Sequence, residues 1–238
     1  MACWVNRKAG RSEVSEDVVR NVSVFADLDD ETYAAVRGAM VSTNVRRGEV
    51  LFREGEPGMR LWVIVTGKVK LGHTAPDGRE SLLAVLGPGE IVGELSVYDP
   101  GPRTATATVL APSVFLELER DVFLNLLDAH PGLSRQLLRS LAQRLRKTNS
   151  ALADLVFADV PGRVAKALLD LAARFGRPVG DGIRVPHDLT QEELAQLVGA
   201  SRETVNKSLA EFSSRGWIQL DGRAVVLLDL QRLERRAR

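Results

Sequence analysis

Residues 189–216 read LTQEELAQLVGASRETVNKSLAEFSSRG, and the rest of the chain is best understood outward from them. Thr190 and Glu193 stand three apart, the spacing of a capping box that opens a helix. Leu194, Ala195, Leu197 and Val198 give that helix an apolar face, and Gly199 breaks it. Ser201 then caps a second helix with a buried face of Val205, Leu209 and Phe212, ending at Gly216. A helix, a short glycine-containing turn and a second capped helix make a helix-turn-helix. Glu203, Asn206 and Lys207 point away from the apolar face of the second helix, with Arg202 at its border in the first turn. Such side chains hydrogen-bond base edges when the N-terminal end of a recognition helix enters the major groove. The candidate DNA contacts are therefore Thr190, Ser201, Arg202, Glu203, Asn206 and Lys207. The bland reading is a helical hairpin with a solvated face. Downstream, however, residues 217–220 and 224–228 flank Asp221-Gly222, a hairpin of the kind that forms the wing of a winged helix. Charge agrees weakly: residues 159–238 carry 13 Lys/Arg against 11 Asp/Glu, a net of +2.

Upstream, Pro131 suits a first helical position. Leu138, Leu141, Leu145, Thr148, Leu152 and Leu155 then recur at spacings of 3, 4, 3, 4 and 3, a heptad seam over nearly three heptads. A helix packed on its own domain is the plainer alternative. The strictness of the pattern, and an opposite face bearing Arg135, Arg139, Arg144, Arg146 and Lys147, favour a seam between two copies of the chain. Thr148, followed by Asn149, is a polar break in that seam, the type that trades stability for register or recognition. Beyond residues 159–162 the chain reads as helix again to Phe175, then as a glycine-rich turn over 176–182, with a domain boundary near 156–161.

Residues 45–119 have a different texture. Short β-rich runs at 61–66, 69–73, 81–86, 104–110 and 114–118 are punctuated by glycines, the pattern of an antiparallel barrel or roll, with Asp77-Gly78 as a hairpin turn. Before it, residues 22–41 have helical spacing, with Leu28-Asp29-Asp30-Glu31 as an acidic first turn, and residues 1–20 read as a loose tail. Within the roll, Gly93-Glu94-Leu95-Ser96 lies a short loop from Pro102-Arg103-Thr104-Ala105. A glycine permitting close approach, N–H groups opening a short helical turn and a nearby arginine form an anion cradle. Glu94 would repel phosphate and suits a hydroxyl such as a ribose 2′-OH.

Composition excludes several classes. The chain has 238 residues, 45% hydrophobic and 26% charged, with a net charge of +1. That is a globular composition with room for one large or two ordinary domains, and it gives no overall affinity for polyanions. The longest apolar runs, 61–65 and 82–86, are too short to span a membrane, residues 1–20 hold no signal-peptide core, and the expected location is the cytoplasm. The single cysteine, Cys3, rules out a disulfide framework and cysteine-built zinc or iron–sulfur sites, so no metal is expected. His73 in the roll, His130 and His187 read as structural, capping or surface residues. With no Cys/His, Ser/His/Asp or paired-carboxylate constellation, the chain is not expected to be an enzyme.

Together these pieces resemble the cyclic AMP receptor protein/fumarate-nitrate regulator (CRP/FNR) family of bacterial transcription factors from about residue 22 to the C-terminus. The likeness is most specific at 93–96 with 103–105, at 144–149 and at 189–207; Arg146-Lys147-Thr148-Asn149 and residues 201–207 are most similar to the actinobacterial branch. The resemblance implies an α+β chain: an N-terminal antiparallel β-roll, the cyclic-nucleotide-binding jelly roll, over 21–130; a long dimerisation helix over 131–157; and a C-terminal winged helix-turn-helix over 158–238. It implies cyclic AMP as effector, in a site that includes Gly93, with Glu94 at the ribose hydroxyl, Arg103, Thr104 and the backbone of Leu95 and Ser96 at the cyclic phosphate, and Thr148 with Asn149 of a second copy at adenine. It implies a homodimer joined through Leu138, Leu141, Leu145, Leu152 and Leu155, palindromic operator DNA, and RNA polymerase as a further partner. Lys207 stands where the best-known members carry arginine, and Asn149 where they carry serine. The competing readings are a constitutive DNA-binding regulator with a vestigial pocket or another effector, and a nucleotide-sensing module that binds protein.

Overall fold

The computed structural model describes residues 20, 22, 25, 28–75 and 77–237; apart from Arg20, the expected tail at 1–20 lies outside them. The N-terminal elements are α1 (Asp30–Gly38), β1 (Val41–Val45), β2 (Val50–Phe52), β3 (Arg60–Thr74), β4 (Glu80–Leu86), β5 (Ile91–Val92), α2 (Leu95–Tyr98), β6 (Thr106–Glu119) and α3 (Arg120–Ala129). Then follow α4 (Pro131–Phe157), α5 (Val160–Phe175), β7 (Arg177–Val179), β8 (Gly182–Val185), α6 (Gln191–Val198), α7 (Arg202–Ser214), β9 (Ile218–Asp221), β10 (Ala224–Leu227) and α8 (Leu230–Arg236). The α+β class and the order roll, long helix, winged helix-turn-helix are those expected.

Two long strands organise the first half. Each joins what the sequence reads as two runs: β3 takes in 61–66 and 69–73, and β6 takes in most of 104–110 together with 114–118. The joint explains the difference. Gly67 has φ 93°, and a Cβ there would strike the Ser113 side chain. Ser113 Oγ accepts from Lys68 N (3.2 Å) and donates to Ala111 O (2.7 Å), so both strands run on past one buried hydroxyl instead of ending. The six-stranded sheet runs β1-β6-β3-β4, with β2 also on β6 and β5 also on β3.

The expected helix at 22–41 stops earlier. Asp29 caps α1 by accepting from Thr32 N (2.8 Å), and Asp30 and Glu31 fill its acidic first turn, as read from the sequence. Val41, however, already pairs with Glu117, and the antiparallel register holds to Val45↔Ser113, so ladder hydrogen bonds override the local helical spacing. The sequence reading also had no helix between the roll and Pro131; α3 fills that gap. Its Phe123 joins Phe25, Val36, Leu61, Val63, Val97, Leu116, Leu118 and Leu133 in one buried cluster.

In the second half, α5 packs on α6, α7, α8 and β8. Val164 and Leu168 of α5, Leu194 of α6, Val205, Leu209 and Phe212 of α7 and Leu233 of α8 are buried. The stretch 176–182, read as a turn, is a strand pair with Val179 opposite Gly182; β7 is exposed throughout, so it carries no alternation to detect. The wing forms as expected: β9 and β10 are antiparallel, and β8 extends them into a sheet of order β7-β8-β10-β9. Helix α8, capped by Asp229, follows the wing. The chain separates into two compact units, one reaching Leu71 and including Val85–Ala142, the other Gly72–Ala84 with Gln143–Arg238.

Candidate functional site

The cradle expected in the roll is assembled from three segments. Strand β5 leads directly into Gly93, whose φ of 88° suits glycine; a Cβ there would lie 2.6 Å from Arg103 Nη1. Glu94 and Ser96 are buried, and Arg103 is only 3% exposed. Arg103 Nη1 donates to Gly93 O (2.7 Å) and Ser96 Oγ (3.0 Å), and Nη2 donates to Arg60 O (2.5 Å). The loop bearing Arg103 is laced in place by backbone bonds: Arg103 N donates to Glu56 O (2.8 Å) and Gly55 N to Arg103 O (2.9 Å). Gly58 has no room for a side chain because Ser96 packs against it. Burial pulls the guanidinium pKa below its ordinary value, and the charges of Glu56 and Glu94 oppose that pull. Leu95 and Ser96 begin α2, where the first N–H groups of a helix have no partner within it. Thr104 is exposed next to Arg103. A cavity of about 330 Å³ opens on the far end of this loop, between Gly55, Pro57, Met59, Ser96, Pro102 and Arg120.

Thr148 and Asn149 lie on the exposed surface of α4, and Thr148 Oγ1 donates back to Arg144 O (3.1 Å). Of the seam leucines, Leu138, Leu145, Leu152 and Leu155 are 61, 61, 57 and 51% exposed, while Leu141 is half-buried against the core of the first unit. Such an apolar stripe on one chain is the mark of a face that another surface covers.

The helix-turn-helix is built as its capping signals dictate. Glu193 N donates to Thr190 Oγ1 (3.1 Å) and Thr190 N to Glu193 Oε2 (2.7 Å), a complete capping box. Gly199 ends α6 in the left-handed region, and Ser201 Oγ accepts from Thr204 N (3.2 Å) to start α7. Val205, Ser208, Leu209 and Phe212 are buried, whereas Arg202, Glu203, Asn206 and Lys207 are all exposed over its first two turns. Phe212 stacks on Trp217 at 5.3 Å, fastening α7 to the base of the wing.

One residue that positions this interface escaped the sequence reading. Arg163 Nε donates to Val198 O (3.0 Å), Nη2 to Gly199 O (3.2 Å) and Nη1 to Ala158 O (2.8 Å). It thus ties the turn between α6 and α7 to the residue just beyond α4. A signal existed: a cation near the start of a helix opposes the helix dipole and needs partners elsewhere. Beside it, Asp159 caps α5 through Gly162 N (2.9 Å) and pairs with Arg236 of α8 at 2.5 Å.

The described residues include no group of three or more His, Cys, Asp or Glu placed to hold a metal ion, and no helix long and apolar enough to cross a membrane. The family model of the cyclic nucleotide-binding domain matches residues 42–130, and that of the Crp-like helix-turn-helix domain matches 162–236. The CRP-like cAMP-activated global transcriptional regulator of Mycobacterium tuberculosis is 52% identical over 223 residues, which cover 94% of this chain and 100% of that protein. The chain belongs to the CRP/FNR family. The cyclic AMP receptor protein of Thermus thermophilus is 35% identical over 188 residues, 79% of this chain and 84% of that one. A crystal structure of a CRP-family transcriptional regulator from Thermus thermophilus matches with TM-score 0.70 and 30% identity, covering 82% of this chain and 96% of that chain. The CRP/FNR relatives and both domains are those of transcription regulators, not enzymes, so the chain is a CRP-like transcription regulator with a cyclic-nucleotide-binding domain and a DNA-binding helix-turn-helix.

Arg236 above all, with Gly162 N–H and the charge of Arg163, holds the Asp159 carboxyl below the usual carboxylate range. A depressed folded-state pKa stabilises the fold above the unfolded value near 4, and that contribution is lost as pH falls through the depressed one. Asp159→Asn keeps a capping side chain and removes only the charge. Urea unfolding should find wild type more stable by up to about 1 kcal/mol at pH 7, since the pair is solvent-screened. The gap should narrow as pH falls below the unfolded value and vanish once pH has passed through the depressed one; a gap independent of pH would contradict the assignment.

Proposed function

We propose that the protein is a homodimeric, cyclic AMP-responsive regulator that acts in the cytoplasm and reads a two-fold symmetric operator, with RNA polymerase as a further partner. The observation that carries the ligand assignment is the buried Arg103, bonded to Gly93 O and Ser96 Oγ with Glu94 buried alongside. A guanidinium and hydroxyl at one end and a carboxylate at the other suit a cyclic phosphate fused to a ribose hydroxyl. Leu95, Ser96 and Thr104 complete the phosphate side, and Thr148 of one copy with Asn149 of the other would meet adenine. That both members of the Glu94/Arg103 pair are present and buried argues against a vestigial pocket. Calorimetric titration with cyclic AMP tests the assignment. Arg103→Ala removes a charged donor to phosphate and should weaken binding by roughly 10- to 150-fold, about 1.5–3 kcal/mol; a variant titrating like wild type would place the ligand elsewhere.

The exposed leucines of α4 support pairing of two chains. Leu145→Ala and Leu152→Ala should each cost the dimer ~2–5 kcal/mol if buried at the seam. Sedimentation should give a wild-type dimer at micromolar concentration and a monomer–dimer mixture for the variants.

Two recognition helices on a two-fold axis imply half-sites about 34 Å apart. Arg202 can donate bidentately to guanine and Glu203 can accept from a cytosine amino group, each giving ~1–3 kcal/mol of discrimination. Arg202→Ala and Glu203→Ala should therefore relax preference at single base-pair positions in an operator library. Lys207→Ala, if its ammonium meets phosphate, should weaken all sequences alike and lower the salt slope by about one. Unchanged base preferences in Arg202→Ala would overturn this assignment of α7.

A further inference from the structure

The charge of Arg103 is held by more than hydrogen bonds. Its Cζ lies 4.3 Å from the centroid of the Phe52 ring and 5.4 Å from that of Trp62. Those two rings stack on each other at 5.4 Å with an interplanar angle of 26°, and both side chains are buried. Sheet register puts them there: Phe52 pairs with Ala107, four residues after Arg103, and Trp62 pairs with Val92, immediately before Gly93. The aromatic pair is therefore fixed to both segments that build the cradle.

A guanidinium has five N–H groups in a rigid fork. Arg103 commits both of Nη1 to Gly93 O and Ser96 Oγ and one of Nη2 to Arg60 O. Nε is buried with no hydrogen-bond partner. The uncommitted donors are Nε–H and one N–H of Nη2; a guanidinium edge with two free donors binds two oxygens of a phosphate side by side. Trp62 Nε1, in the same cluster, is also buried without a partner. Unsatisfied buried donors are uncommon, and Arg103 Nε with Trp62 Nε1 places two of them in one cluster. The π faces of the rings meanwhile offset part of the cost of removing the charge from water.

We propose that Phe52 and Trp62 are positioning residues of the nucleotide site: their stacked rings hold the Arg103 guanidinium in a fixed plane and so decide which of its edges meets the cyclic phosphate. The proposal rests on the reading of the cradle as a cyclic AMP site. It assigns the rings a task beyond filling the roll, namely distinguishing the two exocyclic oxygens of the phosphate.

The Rp and Sp phosphorothioate isomers of cyclic AMP replace one or the other of those oxygens with sulfur, so the ratio of their dissociation constants reads the geometry directly. The full-length wild type should prefer one isomer. Phe52→Leu and Trp62→Leu keep apolar volume but remove a ring. Each should weaken cyclic AMP binding by roughly 2- to 30-fold, the range of a cation–π contact, and move the Rp/Sp ratio toward one. Trp62→Phe restores a ring and should recover the ratio, a rescue that a space-filling role would not require. If Trp62→Leu fails to fold by circular dichroism, Phe52→Leu and its ring-restoring counterpart Phe52→Tyr carry the same comparison. A wild type indifferent to the isomer, or folded variants that lose affinity equally for both isomers, overturns the proposal. So does unchanged binding. Arg103→Ala run in parallel separates the two levels: if it binds cyclic AMP like wild type, the site reading itself fails, and the proposal with it.

Discussion

A guanidinium left only 3% exposed needs compensation on every side, and in this chain that requirement shapes the roll around Arg103. Backbone carbonyls of Gly93 and Arg60 and the hydroxyl of Ser96 take three of its donors. Those partners come from the first residue of β3, from the residue just past β5 and from α2, so the arginine can be satisfied only when the sheet register is correct. The same need excludes side chains where the arginine passes: glycine is the residue that fits at 93, and at 58 it is the residue that lets Ser96 close in. If the cradle takes an anion, as proposed, holding this one charge in place costs conformational freedom but leaves the site already stripped of water. A flexible surface arginine would meet phosphate in high dielectric, where the contact is worth far less.

The second unit solves a different problem with the same chemistry. A recognition helix is useful only if its exposed face is aimed, and α7 exposes Arg202, Glu203, Asn206 and Lys207 while burying Val205, Leu209 and Phe212. Aim is supplied from outside the helix. Arg163 collects three carbonyls, from Ala158, Val198 and Gly199, that would otherwise lack partners at helix ends. Asp159, one residue past Ala158, is held by Arg236 from the last helix. The residues joining α4 to α5 are thus fixed to the helix-turn-helix turn on one side and to α8 on the other, so within this unit the start of α5 and the turn form one hydrogen-bonded piece.

What was legible in the sequence follows the range over which each signal acts. The helix-turn-helix could be read nearly residue by residue, because Thr190 with Glu193, Gly199 and Ser201 act on backbone groups within four positions. Four members of the cradle, Gly93, Glu94, Ser96 and Arg103, were recognisable as a spaced motif and do come together. Features decided by distant partners were hidden. Gly67 looks like a strand break, and the strand's continuation through it involves Ser113, whose hydroxyl bonds Lys68 across 45 residues. Phe52 and Trp62 read as ordinary core residues; their place against Arg103 exists only once β2 pairs with β6 and β3 with β5. Strands as short as β5 and β7, of two and three residues, are below the length at which alternation can be seen at all.

The balance of charge decides how such a protein can discriminate among DNA sequences. Sequence-independent affinity grows with the number of phosphates neutralised, yet the segment from 159 onward carries 13 basic against 11 acidic residues, and several of its arginines are engaged. Arg163 is committed to carbonyls, Arg184 to Asp221, Arg215 to Glu211, Arg232 to Asp229 and Arg236 to Asp159. These pairs tie strands and helix ends together and leave less free charge for the DNA backbone. A unit with a small electrostatic term depends on base-edge hydrogen bonds for its selectivity, and one helix offers only a few, each worth about 1–3 kcal/mol. Presenting two such helices on a rigid two-fold frame doubles the base contacts, and selectivity gains from every one of them. In the proposed homodimer the exposed leucines of α4 would supply that frame through apolar contacts rather than through charge.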